Sequence, residues 1–435
     1  YGVPVVGRIN ELSKALENQR IDEVIIAIPS APGKVVRFVA EVCQKKAVPY
    51  RTMPGIYELI GGKVSVNRLR EVDITDLLRR EQINVHQAGI ENTIKDKIVL
   101  VTGGGGSIGL ELCRQISRWA PKELIILGHG ENSVFEAMLE LKNRYPEVSI
   151  RPVIADLRDQ TRLTNIFNTH HPDIVFHAAA HKHVPLMEMN VDEAITNNIL
   201  GTRNIVNAAS ANGVQQLVMI SSDKAIRPAN VMGATKRLAE MIVLDAAQRC
   251  NKKFSVVRFG NVLGSRGSVV PIFKQQIAKG GPITITHPDM QRYFMTIPEA
   301  VHLVLQAASI GEGNEKFVLN MGSQVRIVDL ANDLIRLSGL EPGKDIGIVF
   351  TGIRPGEKLR EDLWDEGHEF QPTKHPDIFR DDSCECLMGA DLQNAVDRLI
   401  AMAHRGEVAE ILKYLDEVIP GATVSTATPS EIFTY

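Results

Sequence analysis

Two α/β patterns of apolar and polar positions follow one another along the chain. In the first 92 residues the apolar positions come as short runs, Val3–Val6 and Glu23–Ile28, with a stretch of helical period between them from Asn10 to Asn18. The EVIIAI run ends at Pro29-Ser30 and predicts a buried parallel strand, since helices cover both faces of such a strand and its residues need not alternate. Helical period returns from Lys34 to Lys45, and residues 66–95 are charged and poor in strand formers, which suits a connector to the next unit.

The second pattern opens at Lys97. Its candidate strands are Ile98–Thr102, Glu123–Leu127, Ser149–Ile154, Asp173–His177, Gln216–Ser221, Phe254–Phe259 and Lys316–Leu319, nearly all separated by helical segments of about ten residues or more. Such alternation predicts a doubly wound parallel sheet, the Rossmann arrangement, and makes residues 1–92 a smaller, partial version of it. Residues 262–300 and 325–415 are less regular and predict a substrate lid at one edge of the sheet. The expected division is therefore 1–92, 93–420 and a loose tail at 421–435, rich in Thr and Ser. There is no internal repeat.

Composition narrows the picture. A chain of 435 residues that is 44% apolar and 23% charged can bury a large core. Its net charge of -3 offers no broad attraction to nucleic acid, and no run of about 18 apolar residues would carry it across a bilayer. Five cysteines make no disulfide framework and point to a reducing compartment, the cytoplasm. Cys384 and Cys386 are the one close pair, and without a second pair they predict no metal site.

The chemistry begins where Ile98–Thr102 runs into Gly103-Gly104-Gly105-Gly106-Ser107-Ile108-Gly109 and then a helix. Gly103, Gly106 and Gly109 permit the tight turn and close backbone approach that a pyrophosphate needs at a helix N-terminus, with Ser107 and Ile108 between them. The second strand ends Leu127-Gly128-His129-Gly130, without the carboxylate that bonds a free adenosine ribose, which favours NADP. Glu131 is close enough to reach back, so NAD and NADP both stay open. Asp156 and Leu157 follow the third strand where an acid would meet the adenine ring; a solvated turn residue is the plain alternative. The fourth strand ends His177-Ala178-Ala179-Ala180, small enough for a cofactor to lie close. In His181-Lys182-His183 no third ligand completes a metal site, and Lys182 is expected to make a polar contact to a ligand. One amide of Asn197-Asn198 is expected to tie helix to sheet.

At the carboxyl end of the fifth strand, where open α/β sheets bind ligands, stand Ser221-Ser222-Asp223-Lys224. A surface ion pair is the plain reading of Asp223 beside Lys224; catalysis is the sharper one. Met232 precedes Lys236 by four residues and so shares its helix face. A thioether exchanges no proton, so Met232 shapes a pocket or simply packs.

The strings TGGGGSIG at 102–109, HAAAHKHVPLME at 177–188, SSDKAIRPANVMGATKR at 221–237, RFGNVLGSRGSVVP at 258–271 and GIRPGEKLRE at 352–361 together resemble the extended short-chain dehydrogenase/reductase superfamily. Within it they look most like the large, membrane-linked UDP-N-acetylglucosamine 4,6-dehydratases of polysaccharide biosynthesis, over about residues 95–380 and loosely into the first unit. Relatives usually carry a Tyr where Met232 stands, and Met is a habit of the large members. The resemblance implies Asp223 and Lys224 as acid and base, with Lys236 on the nicotinamide ribose and Ser222 near the C4 hydroxyl. It also implies Asn261, Arg292, Arg354 and Glu357 as nucleotide-sugar contacts, and Arg354 suits the diphosphate because its guanidinium offers paired donors. Arg266 is a further phosphate candidate. Lys224 would act as a neutral amine, its pKa lowered by a closed site, beside a protonated Asp223. A UDP-sugar partner and an assembly of identical chains are expected. Large members carry transmembrane helices ahead of their first domain, so an anchor upstream of Tyr1, holding the protein at the cytoplasmic face, is also expected. The rival readings are a UDP-sugar 4-epimerase and a silent cofactor-binding scaffold.

Overall fold

The computed structural model describes residues 2–53, 72–77, 87–364, 370–383 and 387–426. Its centre is a nine-stranded sheet built from β1 (Ile98–Thr102), β2 (Glu123–Gly128), β3 (Ile150–Ile154), β4 (Ile174–His177), β5 (Gln216–Ile220), β6 (Lys253–Arg258), β7 (Glu315–Leu319), β8 (Gln371–Pro372) and β9 (Ile378–Asp381). The order is β8-β9-β7-β6-β5-β4-β1-β2-β3. The seven strands expected from the sequence are parallel to one another, and β8 and β9 add an antiparallel edge. Pro152 sits in β3, the opposite edge, where its missing N–H breaks no ladder.

Alternate side chains of each strand feed two cores. Leu100, Ile125, Val175, Leu217 and Val256 pack on one face, and Val99, Val101, Ile126, Phe176, Val218 and Val257 on the other. Burying each such side chain fully is worth about 1.5–3 kcal/mol, so a one-residue slip in register would be strongly disfavoured. The helices that matter for the site are α1 (Ser107–Ser117), α2 (Glu131–Arg144), α3 (Gly201–Ala211) and the 20-residue α4 (Val231–Cys250).

A third core joins the substrate side to the first unit. Leu263, Phe273, Ile283 and Ile285 pack with Leu330 and Leu334 of α5 (Ile327–Leu337) and with Ile26, Val36, Val39 and Cys43. Arg37 bonds Asp333 at 2.8 Å across this contact. In the first unit the strand is shorter than EVIIAI: Val24–Ile26 pairs in parallel with Tyr50–Thr52. Ile25 and Ile28 remain 45% and 43% exposed, because helices do not cover both faces of this two-stranded sheet. The lid is also smaller than expected. Gly389–Arg405 (α6) and Val408–Val418 (α7) are regular helices whose Leu392, Val396, Leu399, Ile411 and Leu415 belong to the core of the large sheet, not to a lid. Cys384, Cys386 and the end of the tail lie outside the described residues, as do residues 66–71 and 78–86 of the expected connector.

Candidate active site

The glycine turn comes first. Gly103 has φ +65°, and a Cβ there would stand 2.9 Å from the backbone of Ala179; a Cβ on Gly109 would stand 2.1 Å from the carbonyl oxygen of Gly103. Only glycine permits this packing, which brings the start of α1 close against the end of β1 and the Ala178–Ala179 backbone. Gly106 closes the turn, its N–H donating to the Gly103 carbonyl at 2.8 Å and its backbone capping α1, whose first residues are Ser107 and Ile108. Ala178 and Ala179 are half-buried beside it. The cradle fits a dinucleotide.

His177 is locked beneath the turn between Thr102 Oγ1 at 2.8 Å and Thr202 Oγ1 at 3.0 Å. Burial, with Lys236 nearby, pushes its pKa down to about 3, so it is a neutral strut. Asn198 fulfils the structural role expected of it, accepting from the His181 N–H and donating to the His181 carbonyl and Thr235 Oγ1. Asp156 is engaged by the Arg158 guanidinium at 2.6 Å, which holds its carboxyl below the usual range. Leu157 is buried in the core against Gly201.

β5 ends at Ile220, and Ser222 caps a single 3-10 turn, Asp223–Ala225. Asn230 Oδ1 then caps α4 by accepting from the Gly233 N–H at 2.8 Å, while Glu188 accepts from Val231 N–H at 2.7 Å. A Cβ on Gly233 would lie 2.2 Å from the Lys224 carbonyl oxygen, so a glycine is required for α4 to lie against the Asp223–Lys224 turn. Met232 is 4% exposed and joins the core. Lys236 is 7% exposed and donates to the Ile220 carbonyl at 2.6 Å; burial, only partly offset by Glu240, pushes its pKa down to about 8. The two residues share a helix face as their spacing requires, and both are buried.

Lys224 Nζ lies 3.0 Å from Asp223 Oδ1, 3.3 Å from Asn261 Oδ1 and 3.5 Å from Glu361 Oε1. Burial alone would push this amine down, but the carboxylates of Asp223 and Glu361 outweigh it and hold the pKa above the usual lysine value. This corrects the expectation of a neutral amine: Lys224 rests as an ammonium in an ion pair. Ser222 Oγ donates to Asp223 Oδ1 at 2.8 Å. Asp223 Oδ2 is buried and has no hydrogen-bond partner among the described residues, an arrangement that suits an oxygen that meets a ligand group.

Arg292, 7% exposed, donates to the carbonyls of Gln291 and Leu359 and lies 3.6 Å from Glu357 Oε1 and 4.0 Å from Glu361 Oε1. The fold thus brings Asp223, Lys224, Asn261, Arg292 and Glu357 into one cluster. Arg354 is exposed on the turn that Glu357 caps through the Arg354 N–H. Arg266 stands apart: its N–H donates to Ser107 Oγ at 3.1 Å, and its exposed guanidinium lies 3.8 Å from Glu136 of α2. Lys182 donates to Ser265 Oγ in the same loop. These two therefore border the glycine turn.

The sequence pattern of the family described as polysaccharide biosynthesis protein matches residues 99–383. The chain belongs to this family. It is 49% identical to the capsular polysaccharide biosynthesis protein CapD of Staphylococcus aureus over 380 residues, which are 87% of this chain and 63% of that relative. The chain thus spans less than two thirds of CapD. It is 37% identical over 270 residues to an inverting UDP-N-acetylglucosamine 4,6-dehydratase of Campylobacter jejuni, covering 61% of this chain and 76% of the relative. Among solved structures, Pen from Bacillus thuringiensis superposes with a TM-score of 0.62 at 34% identity, covering 72% of this chain and 98% of Pen. DesIV, a dTDP-glucose 4,6-dehydratase of Streptomyces venezuelae solved with NAD, shares the fold at 20% identity, TM-score 0.55, over 61% of this chain and 87% of DesIV. The resemblance to the extended short-chain dehydrogenase/reductase dehydratases is therefore borne out.

Glu361 was given no role by the sequence, although it closes the GIRPGEKLRE string of this family member. It is 3% exposed and touches both Lys224 and Arg292. Its position in that string was the available signal. Among the described residues no group of His, Cys, Asp and Glu is arranged to hold a metal ion, and no helix is long and apolar enough to cross a membrane.

Proposed function

We propose that the protein is a UDP-N-acetylglucosamine 4,6-dehydratase that makes a UDP-4-keto-6-deoxy-N-acetylhexosamine for polysaccharide assembly. The observation that carries this reading is the buried Asp223–Lys224 pair, with an unpartnered Asp223 oxygen, at the end of β5 in a chain that has Met232 in place of a phenol. Two groups that can trade one proton suit an elimination of water, which needs a base at C5 and an acid at the C6 hydroxyl.

The Gly103–Gly109 turn and Lys236 would hold a nicotinamide cofactor, NAD or NADP, which would supply the hydride acceptor for C4 and the hydride donor for C6. The C4 hydroxyl proton would leave past Ser222 to solvent. The C4 ketone acidifies the C5 proton. Lys224 reaches its basic form by passing its proton to Asp223, so the resting ion pair becomes an amine and a carboxylic acid. Lys224 then removes the C5 proton, Asp223 donates to the departing C6 oxygen, and Lys224 gives a proton back to C5 as hydride reaches C6. A solvent proton, replacing the one lost from the C4 hydroxyl, restores the ion pair. Arg292 and Arg354 serve the diphosphate, Asn261 and Glu357 the sugar and ribose hydroxyls. Lys182 and Arg266, at the mouth of the glycine turn, serve the phosphates shared by cofactor and substrate. Similarity to CapD supports a place in capsule assembly.

The test is mass spectrometry after incubation with UDP-N-acetylglucosamine and NAD or NADP. Loss of the mass of one water supports the dehydratase, whereas an unchanged mass with a new epimer supports the 4-epimerase. Lys224→Ala should abolish the 4-keto product and leave cofactor bound; retained turnover excludes Lys224 as the base.

A further inference from the structure

An ammonium has three hydrogens, and three oxygens surround Lys224 Nζ: Asp223 Oδ1 at 3.0 Å, Asn261 Oδ1 at 3.3 Å and Glu361 Oε1 at 3.5 Å. An ammonium so enclosed has no lone pair to offer, so for Lys224 to become a base it must lose a proton, and the charges on these oxygens decide how readily it does. Asp223 is the proton's destination and Asn261 carries no charge. Glu361 is different, because a second cation, Arg292, has its Nε 4.0 Å from the same carboxylate oxygen. Glu361 is 3% exposed, so water does not screen its charge from either neighbour.

We propose that Glu361 is a positioning residue that decides where the Asp223–Lys224 proton resides, keeping it on the amine in the ligand-free enzyme and releasing it when the carboxylate turns to Arg292. The proposal rests on the reading of Asp223 and Lys224 as acid and base. The charged groups acting on Lys224 are Asp223 from its own turn, Glu361 from the segment before Asp362, and Arg292 from the strand Gln291–Arg292. With Glu361 near Lys224, two carboxylates favour the ammonium against the burial that opposes it. With Glu361 drawn to Arg292, burial prevails and an N–H bond of Lys224 is exchanged for an O–H bond on Asp223. The pair's total charge is unchanged, and no co-reactant is consumed. Arg292 faces Glu357 through Nη2 at 3.6 Å and Glu361 through Nε, so a nucleotide sugar that draws Glu357 away and meets Arg292 at Nη2 would leave Nε to Glu361. Substrate docking would then be the trigger for the base to form.

The experiment is the pH dependence of acetic anhydride labelling of Lys224, read by peptide mass spectrometry on the full ligand-free chain. Glu361→Gln keeps the shape and removes the charge; the apparent pKa of Lys224 should fall by about 1 unit or more. Glu361→Asp, with its charge farther from the amine, should give a smaller fall in the same direction, and it serves as the test if the Gln variant does not fold. Titration of Lys224 at its wild-type value in both variants would overturn the proposal. In turnover, Glu361→Gln should move the pH profile to lower pH, whereas a purely structural role would lower the rate at every pH without moving the profile. Because the labelling needs no substrate, a wild-type enzyme that fails to dehydrate UDP-N-acetylglucosamine would sink the functional reading and leave the labelling result to judge Glu361 separately.

Discussion

Lys236→Met should stabilise the protein below pH 8 and lose that advantage as the pH rises. The Lys236 amine is buried, with the Ile220 carbonyl at 2.6 Å and no carboxylate bonded to it among the described residues, and its pKa is pushed from 10.5 down to about 8. An unfolded chain therefore holds this proton more tightly than the folded one between pH 8 and 10.5, and stability rises with pH across that window. At about 1.4 kcal/mol per pH unit, the folded protein below pH 8 carries a penalty on the order of 3 kcal/mol for enclosing the cation. Methionine fits the same volume without charge and forfeits one hydrogen bond, worth about 1 kcal/mol at every pH. The variant should thus be more stable than wild type by about 2 kcal/mol at pH 7 and slightly less stable near pH 10.5. Urea unfolding followed by circular dichroism at half-unit pH steps measures the difference, in which the other titrating groups cancel. A stability difference that stays flat from pH 7 to 10 would refute the reasoning. The same variant should bind the cofactor poorly, which would show that the burden is retained for function rather than for folding.

Two further outcomes follow from the packing. Glu240→Ala should cost about 3–5 kcal/mol, because it removes a buried carboxylate bonded twice, at 2.6 and 2.7 Å, to the Arg258 guanidinium, which is 1% exposed; a loss under about 1 kcal/mol in thermal unfolding would contradict this. Gly109→Ala should weaken cofactor binding at least about tenfold, since its Cβ would collide with the Gly103 carbonyl and force the turn open; unchanged affinity in a fluorescence titration would mean that the turn does not hold the dinucleotide.

The doubly wound sheet was legible because its causes are local. Each of the seven parallel strands is an apolar run, and each boundary falls within about two residues of the expected one. The glycine turn and the placing of Asp223 and Lys224 at the end of β5 follow from short-range pattern in the same way. Four matters were decided by tertiary structure. The strands β8 and β9 are too short for their pattern to stand out, and they form because β7 leaves a ladder edge to pair. Helices α6 and α7 have ordinary amphipathic sequences that do not say which surface they will cover; the answer lies in the apolar face of α3 and α4. The sequence does not reveal that the first unit shares a core with the substrate side. Finally, the charge on Lys224 is a sum over groups drawn together from distant parts of the chain. Asp223 is its neighbour in sequence, but Asn261, Arg292 and Glu361 reach it only through the fold. Electrostatic energy depends on separation in space and on the water excluded there, and neither quantity is written in the order of the residues.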